Sequence, residues 1–233
     1  MSWRCKVGLI YPSDGVLDYE FWNLVPQGVS VHITRLPIAS TELTLAAAKE
    51  LANLERIKQA AETLHATRPD VITYACTVGS FIEGPAHMGN IIRVLSDTAG
   101  CIATTTSNAL IESLKALSVG RVGILSPYVY DISRLLRDFV EAHGIIVKEM
   151  EILDLTSSIE KVSAEMVYHK ANGIGKKLVD AVFISCTGLP TLEILAPLEE
   201  DLGKPVLAAN QITIWHALKI AGVRASFGRF LST

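Results

Sequence analysis

One ten-residue pattern occurs twice, and it constrains the fold more than any other feature of the chain. Asp70-Val71-Ile72-Thr73-Tyr74-Ala75-Cys76-Thr77-Val78-Gly79 is echoed by Asp180-Ala181-Val182-Phe183-Ile184-Ser185-Cys186-Thr187-Gly188-Leu189, and 110 residues separate both the aspartates and the cysteines. Each copy opens on Asp and runs through mostly apolar, β-prone residues, as a buried strand does. Each closes on a small residue, Cys-Thr and a glycine-containing turn that leads toward a helix. Two thiols at equivalent points of a repeated strand–turn–helix unit predict one site shared by two half-molecules.

The rest of the chain repeats in the same order. Residues 6–12 read as a strand leading into the loop Ser13-Asp14-Gly15, and residues 121–127 echo it at an offset of 115. Further strands are predicted at 31–36, 100–104, 145–152 and 204–208. Helical composition and spacing predict helices over 44–67, 80–97, 109–117, 129–143, 157–177, 191–202 and 211–221. Ser107-Asn108 and Asn210 are placed to cap two of them, and Gly144 to end a third. Strands alternating with helices of this length mean α/β architecture with parallel sheets. The duplication predicts two pseudo-symmetric lobes, 1–117 and 118–211, each a mostly parallel sheet flanked by helices. The site then lies in the cleft between them, and the segment 212–233 is available to pack back on the first lobe.

Composition narrows the chemistry. A net charge of −3 gives no electrostatic case for nucleic acid or an anionic membrane. No run of about 18 apolar residues exists to span a bilayer, and the first residues lack a signal-peptide core. The four cysteines, at 5, 76, 101 and 186, form no C-x-x-C pair, and the six histidines show no H-x-x-x-H spacing. No metal is expected, and reduced thiols in a cytoplasm are the default.

In an open α/β sheet, ligands collect beyond the carboxyl ends of the strands, where Cys76 and Cys186 are predicted to lie. The N–H groups of each turn can converge on a carboxylate at a helix N-terminus, and that positive end is expected to lower a thiol pKa. Thr77 and Thr187 add hydroxyl donors. The parts suit an anionic substrate held between two ionisable sulfurs. Cys5 and Cys101 lack this context and read as packing residues. Asp70 and Asp180 read as turn residues. The histidines read as solvated or core groups, with His87 and His216 on helices able to border the site.

At these residues the chain resembles the aspartate/glutamate racemase superfamily. Gly8-Leu9-Ile10-Tyr11-Pro12-Ser13, Ser126-Pro127-Tyr128 and Gly203-Lys204-Pro205-Val206, followed by Asn210-Gln211, resemble the branch containing maleate cis-trans isomerases and arylmalonate decarboxylases. The similarity covers essentially the whole chain. It implies an enzyme without cofactor, acting on a small carboxylate; a homo-oligomer, dimer or tetramer, is expected. Cys76 maps to the nucleophile or first base, Cys186 to the second acid/base, and Tyr128 to a hydrogen-bond donor for a substrate carboxylate. Pro12, Ser13, Thr77, Val78, Thr187 and Gly188 map to the pocket lining.

In the isomerases the first cysteine adds to the double bond; in the racemases two cysteines pass a proton across the carbon next to a carboxylate. The decarboxylases keep only the second cysteine. The chain departs from the isomerases at two places: Asp14-Gly15 stands where a loop asparagine is expected, and Leu155-Thr156-Ser157-Ser158 replaces a second one. The expected function is a cysteine-dependent isomerase most like maleate isomerase. An amino-acid or hydantoin racemase, an arylmalonate-type decarboxylase and a two-lobed binding protein remain open at this point.

Overall fold

The computed structural model describes residues 4–38 and 40–233. The first half runs β1 (Cys5–Pro12), α1 (Asp18–Leu24), β2 (Val29–Leu36), α2 (Leu45–Glu50), α3 (Leu54–His65), β3 (Val71–Tyr74), α4 (Thr77–Phe81), α5 (Gly84–Ala99), β4 (Ile102–Thr105) and α6 (Thr106–Ala116). The second half follows with β5 (Arg121–Tyr128), α7 (Tyr130–Glu141), β6 (Ile146–Leu155), α8 (Ala164–Gly175), β7 (Ala181–Ile184), α9 (Leu195–Leu202), β8 (Val206–Ala208) and α10 (Ala209–Ile220). A short hairpin, β9 (Ser226–Phe227) with β10 (Leu231–Ser232), forms from the tail, for which the sequence showed no pattern.

Two four-stranded sheets have the same order, β2-β1-β3-β4 and β6-β5-β7-β8, and every pairing within them is parallel. In each, the chain moves outward from the first strand, then crosses back to the other side of it. The reversal falls between β1 and β3, and again between β5 and β7, and such a switch point opens a crevice at the carboxyl ends of the strands. Cys76 and Cys186 lie two residues beyond β3 and β7 respectively. The paired aspartates are equivalent too. Asp70 accepts the backbone N–H of Lys6 at 2.7 Å and Asp180 that of Arg121 at 2.8 Å, each tying the start of a cysteine strand to the strand beside it.

The largest core runs through both halves, joining β1, β3, α5 and α6 to the inner faces of β5, α7 and α10. A smaller core fills the space between the second sheet and α8 and α9. Helix α10 is buried continuously from Ala209 to Leu218 and packs on α6, β3 and β4, so the chain returns to the first sheet. An all-round apolar helix of this kind has no solvent face to offer.

Several helix limits differ from the sequence reading for local reasons. The span 44–67 is two helices, because the Asn53 side chain accepts the Glu55 and Arg56 N–H groups and starts α3 afresh. The span 80–97 is also two, broken by Gly84 at φ +83°. The span 157–177 shortens to α8, capped by Ser163. The cap of α6 is Thr105 rather than Ser107 or Asn108, and Asn210 lies inside α10 with its side chain engaged elsewhere.

Candidate active site

Cys76 is the N-cap of α4. It is extended, at φ −146° and ψ 109°, and its sulfur accepts the Gly79 N–H at 3.4 Å. The thiol thus occupies a place usually held by Ser, Thr or Asp. Gly79 is required by close approach: a Cβ there would stand 2.5 Å from Tyr74 Oη, which donates to the Leu51 carbonyl at 2.7 Å. The Thr77 and Val78 amides, first in the helix, have no intrahelical acceptor and are free to serve a ligand.

Cys186 is held differently. No helix opens at its turn; α9 begins only at Leu195. Its φ is +85°, a left-handed backbone that a residue other than glycine adopts at a cost of about 1–3 kcal/mol. The Gly188 N–H donates to the sulfur at 3.3 Å. Thr187 ties this turn to the first half: its hydroxyl donates to the Ala75 carbonyl at 3.3 Å, and its own carbonyl accepts Tyr11 Oη at 2.8 Å and Asn210 Nδ2 at 3.2 Å. Ala75 precedes Cys76, so one hydroxyl links the two cysteine turns.

Both cysteines line a single cavity of about 890 Å³, open mouth included. Pro12, Thr77, Val78, Tyr128, Thr187 and Gly188 also form its wall. Ser13 does not. Its N–H donates to the Leu36 carbonyl and its hydroxyl accepts the Ile38 N–H at 3.1 Å, which commits it to the loop after β2. At the floor, Thr77 Oγ1 and Tyr128 Oη are buried without a hydrogen-bond partner. Burial pushes the ionisation of Tyr128 well up, and the neighbouring Cys186 and Cys76 thiols add to it. Buried hydroxyls left unpaired in a cavity wall are donors awaiting an acceptor. The wall above them is partly apolar, with Val16, Ile38, Leu43 and Ile159, and the rim carries Asp14, Glu50, Glu160 and Arg56. Arg56 is already engaged by the Pro37 carbonyl and by Glu50.

The thiols are not the low-pKa groups that the turns predicted. Burial pushes Cys76 up to about 12, against the opposing pull of the Gly79 N–H. Burial likewise pushes Cys186 up to about 11, opposed by the Gly188 N–H. The amides act in the expected direction, but desolvation of the thiolate outweighs them. Asp14 on the rim adds a further upward push to both. Partial burial raises Asp14 itself, with Glu160 adding to the effect.

The remaining residues fall outside the cavity. Cys5 is buried in β1, and Cys101 packs against the main core. His87 bonds the Ala52 carbonyl, and His216 bonds Thr104 with its pKa pushed down to about 4 by burial. Among the described residues, no cluster of three or more His, Cys, Asp or Glu side chains could hold a metal ion, and no helix is long and apolar enough to cross a membrane. Of the residues that hold the Cys186 turn, the sequence assigns Tyr11 and Glu20 no role and Asn210 only that of a helix cap. Tyr11 and Asn210 fall within the motif stretches already singled out, whereas nothing near Glu20 marks it.

The family model for arylmalonate decarboxylase matches residues 7–230. A maleate isomerase of Nocardia farcinica is 30% identical over 220 residues, spanning 88% of this chain and 85% of that protein. The crystal structure of a maleate isomerase from Pseudomonas putida superimposes with a TM-score of 0.88 at 22% identity, covering 95% of this chain and 94% of the other. A cysteine-to-serine variant of the N. farcinica maleate cis-trans isomerase, solved with a covalently bound succinylcysteine intermediate, superimposes with a TM-score of 0.83 at 22% identity over 94% of each chain.

Proposed function

The chain belongs to the arylmalonate decarboxylase family, within the maleate isomerase branch of the aspartate/glutamate racemase superfamily, and from that premise we propose that it isomerises maleate to fumarate through Cys76 and Cys186. The observation that carries the reading is that both thiols, with the unpaired Tyr128 and Thr77 hydroxyls, line one cavity. Retention of two cysteines favours the isomerase over the decarboxylase chemistry, which the resemblance assigns to the second cysteine alone.

In the proposed sequence, a substrate carboxylate accepts from Tyr128 Oη, Thr77 Oγ1 and the turn amides, and Cys76 Sγ faces an alkene carbon. Cys76 first gives up its thiol proton to water; the thiolate then forms a C–S bond there, and the π pair moves into the adjoining carboxylate as an enediolate, stabilised by the same donors. Rotation about the former double bond, now a C–C single bond, brings the two carboxyl-bearing ends from cis to trans. Return of the electron pair expels the thiolate and leaves the trans alkene, with no atom gained or lost. The succinylcysteine in the N. farcinica variant is the protonated counterpart of this adduct. Cys186, beside Tyr128, is placed to supply or withhold that proton.

One observation favours a substrate other than maleate itself. Asp14 and Glu160 line the cavity that a second carboxylate would share, and Arg56, the one cation lining it among the described residues, is already bonded to Glu50 and the Pro37 carbonyl. A cis-unsaturated acid whose far end is uncharged, such as the monoamide of maleate, would avoid that repulsion. The reading extends to a cytoplasmic homo-oligomer. Four free cysteines suit a reducing compartment, and the exposed Trp22 and Tyr130 offer apolar surface to a partner copy.

Proton NMR of maleate and of its monoamide, incubated with the protein in deuterated water, tests the function. The trans product should appear, and Cys76→Ser should abolish it. Release of carbon dioxide from an arylmalonate with no alkene isomerisation would reassign the chain to decarboxylation. Solvent deuterium at the α-carbon of an amino acid or hydantoin would reassign it to racemisation.

A further inference from the structure

Between the end of β7 and the start of α9 the Cys186 segment has no regular structure of its own. Its conformation is imposed from outside, and the imposing groups converge on Glu20 of α1. Glu20 is 0% exposed. One carboxylate oxygen accepts the Thr191 N–H at 2.7 Å and the Leu192 N–H at 3.0 Å; the other accepts Thr191 Oγ1 at 3.1 Å and Asn210 Nδ2 at 2.7 Å. No Lys, Arg or His pairs with it among the described residues. The same Asn210 amide also donates to the Thr187 carbonyl at 3.2 Å, next to Cys186.

A buried carboxylate without a cation is costly unless its acceptor sites are filled, and here four donors fill them. Every donor lies in the Cys186 segment or on α10. Glu20 does not line the cavity, so it touches no substrate. We propose that Glu20 is a positioning residue for Cys186: its carboxylate holds the 187–192 segment, directly and through Asn210, in the backbone conformation that aims the second thiol into the cavity. The proposal rests on the cysteine-dependent reading of the site and names no substrate.

The chemistry of Gln at this place is specific. Its amide nitrogen would face donors on one side or the other. Rotating the Asn210 amide relieves that conflict, since Asn210 Oδ1 is buried without a partner. The rotation turns Nδ2 away and leaves the Thr187 carbonyl with Tyr11 alone. Glu20→Gln should therefore loosen the Cys186 turn while leaving the Cys76 turn intact.

The test compares Glu20→Gln, Asn210→Ala and Leu198→Ala in the intact protein. Leu198 sits in the smaller core, does not line the cavity and makes no bond to the Cys186 turn, so it controls for general destabilisation. Two quantities are read: iodoacetamide labelling of Cys186 against Cys76 at fixed pH, and kcat against KM on whichever cis acid is turned over. Glu20→Gln should change the Cys186 labelling rate about fivefold or more with Cys76 within twofold, and lower kcat by about 10- to 100-fold with KM little changed. Leu198→Ala should lower Tm and leave both readouts near wild type. If Glu20→Gln does not fold, Asn210→Ala is read by the same criteria. Unchanged Cys186 labelling, or equal changes in Leu198→Ala, would overturn the positioning role. Absence of any isomerase activity in the wild type would remove the functional reading, while the labelling comparison would still decide this one.

Discussion

The first perturbation to apply is pH, with the rate of thiol alkylation as the readout. Burial holds Cys76 at about 12 rather than its ordinary 9.0. At pH 7 a thiol of pKa 9 is about 1% thiolate and one at about 12 only about 0.001%, a thousandfold deficit in the reactive form. The more basic thiolate is the better nucleophile, and a Brønsted coefficient of about 0.4–0.5 recovers roughly 15- to 30-fold. Cys76 should therefore alkylate roughly 30- to 60-fold more slowly than an unperturbed cysteine at pH 7, and Cys186, at about 11, roughly 10- to 15-fold more slowly. Because the pKa is raised, the rate should climb nearly tenfold per pH unit from 7 to 10 without a plateau. Peptide mass spectrometry after timed iodoacetamide quenches, with N-acetylcysteine as internal reference, gives both slopes in one experiment. A plateau below pH 9, or labelling at pH 7 as fast as the reference, would show that the turn amides outweigh burial. Desolvation would then not be the dominant influence on these two sulfurs.

Three further outcomes are expected. Tyr128→Phe removes a buried donor from the cavity floor and should lower kcat by about 100-fold or more with a smaller change in KM, read by steady-state kinetics. Asp14→Asn removes a negative charge that pushes both thiols up, so Cys76 and Cys186 should alkylate about two- to fivefold faster at pH 8, and maleate should gain on its monoamide in kcat/KM. Gly79→Ala places a Cβ 2.5 Å from Tyr74 Oη and 2.9 Å from the Leu51 carbonyl, which should cost about 1–3 kcal/mol in urea unfolding. An unchanged midpoint would mean that α4 shifts freely.

The duplicated strand-and-turn pattern was enough to specify two parallel sheets of one order with a cysteine beyond a central strand of each. That outcome depends on side-chain alternation, strand apolarity and turn chemistry, which are properties of short segments. Cys76 and Cys186, with the Thr77 and Thr187 hydroxyls beside them, were readable for that reason, and Pro12, Val78, Tyr128 and Gly188 through the resemblance. Ser13 shared the same motif yet turned toward Ile38, because a loop hydroxyl goes to whichever amide the packing brings near. The thiol ionisation reversed sign relative to expectation because desolvation is set by everything that closes around the sulfur, not by the turn that carries it. Glu20 was invisible for the same kind of reason. Its partners lie 171, 172 and 190 positions away, and only the docking of one half against the other brings a helix-face carboxylate onto the loop that carries the second cysteine.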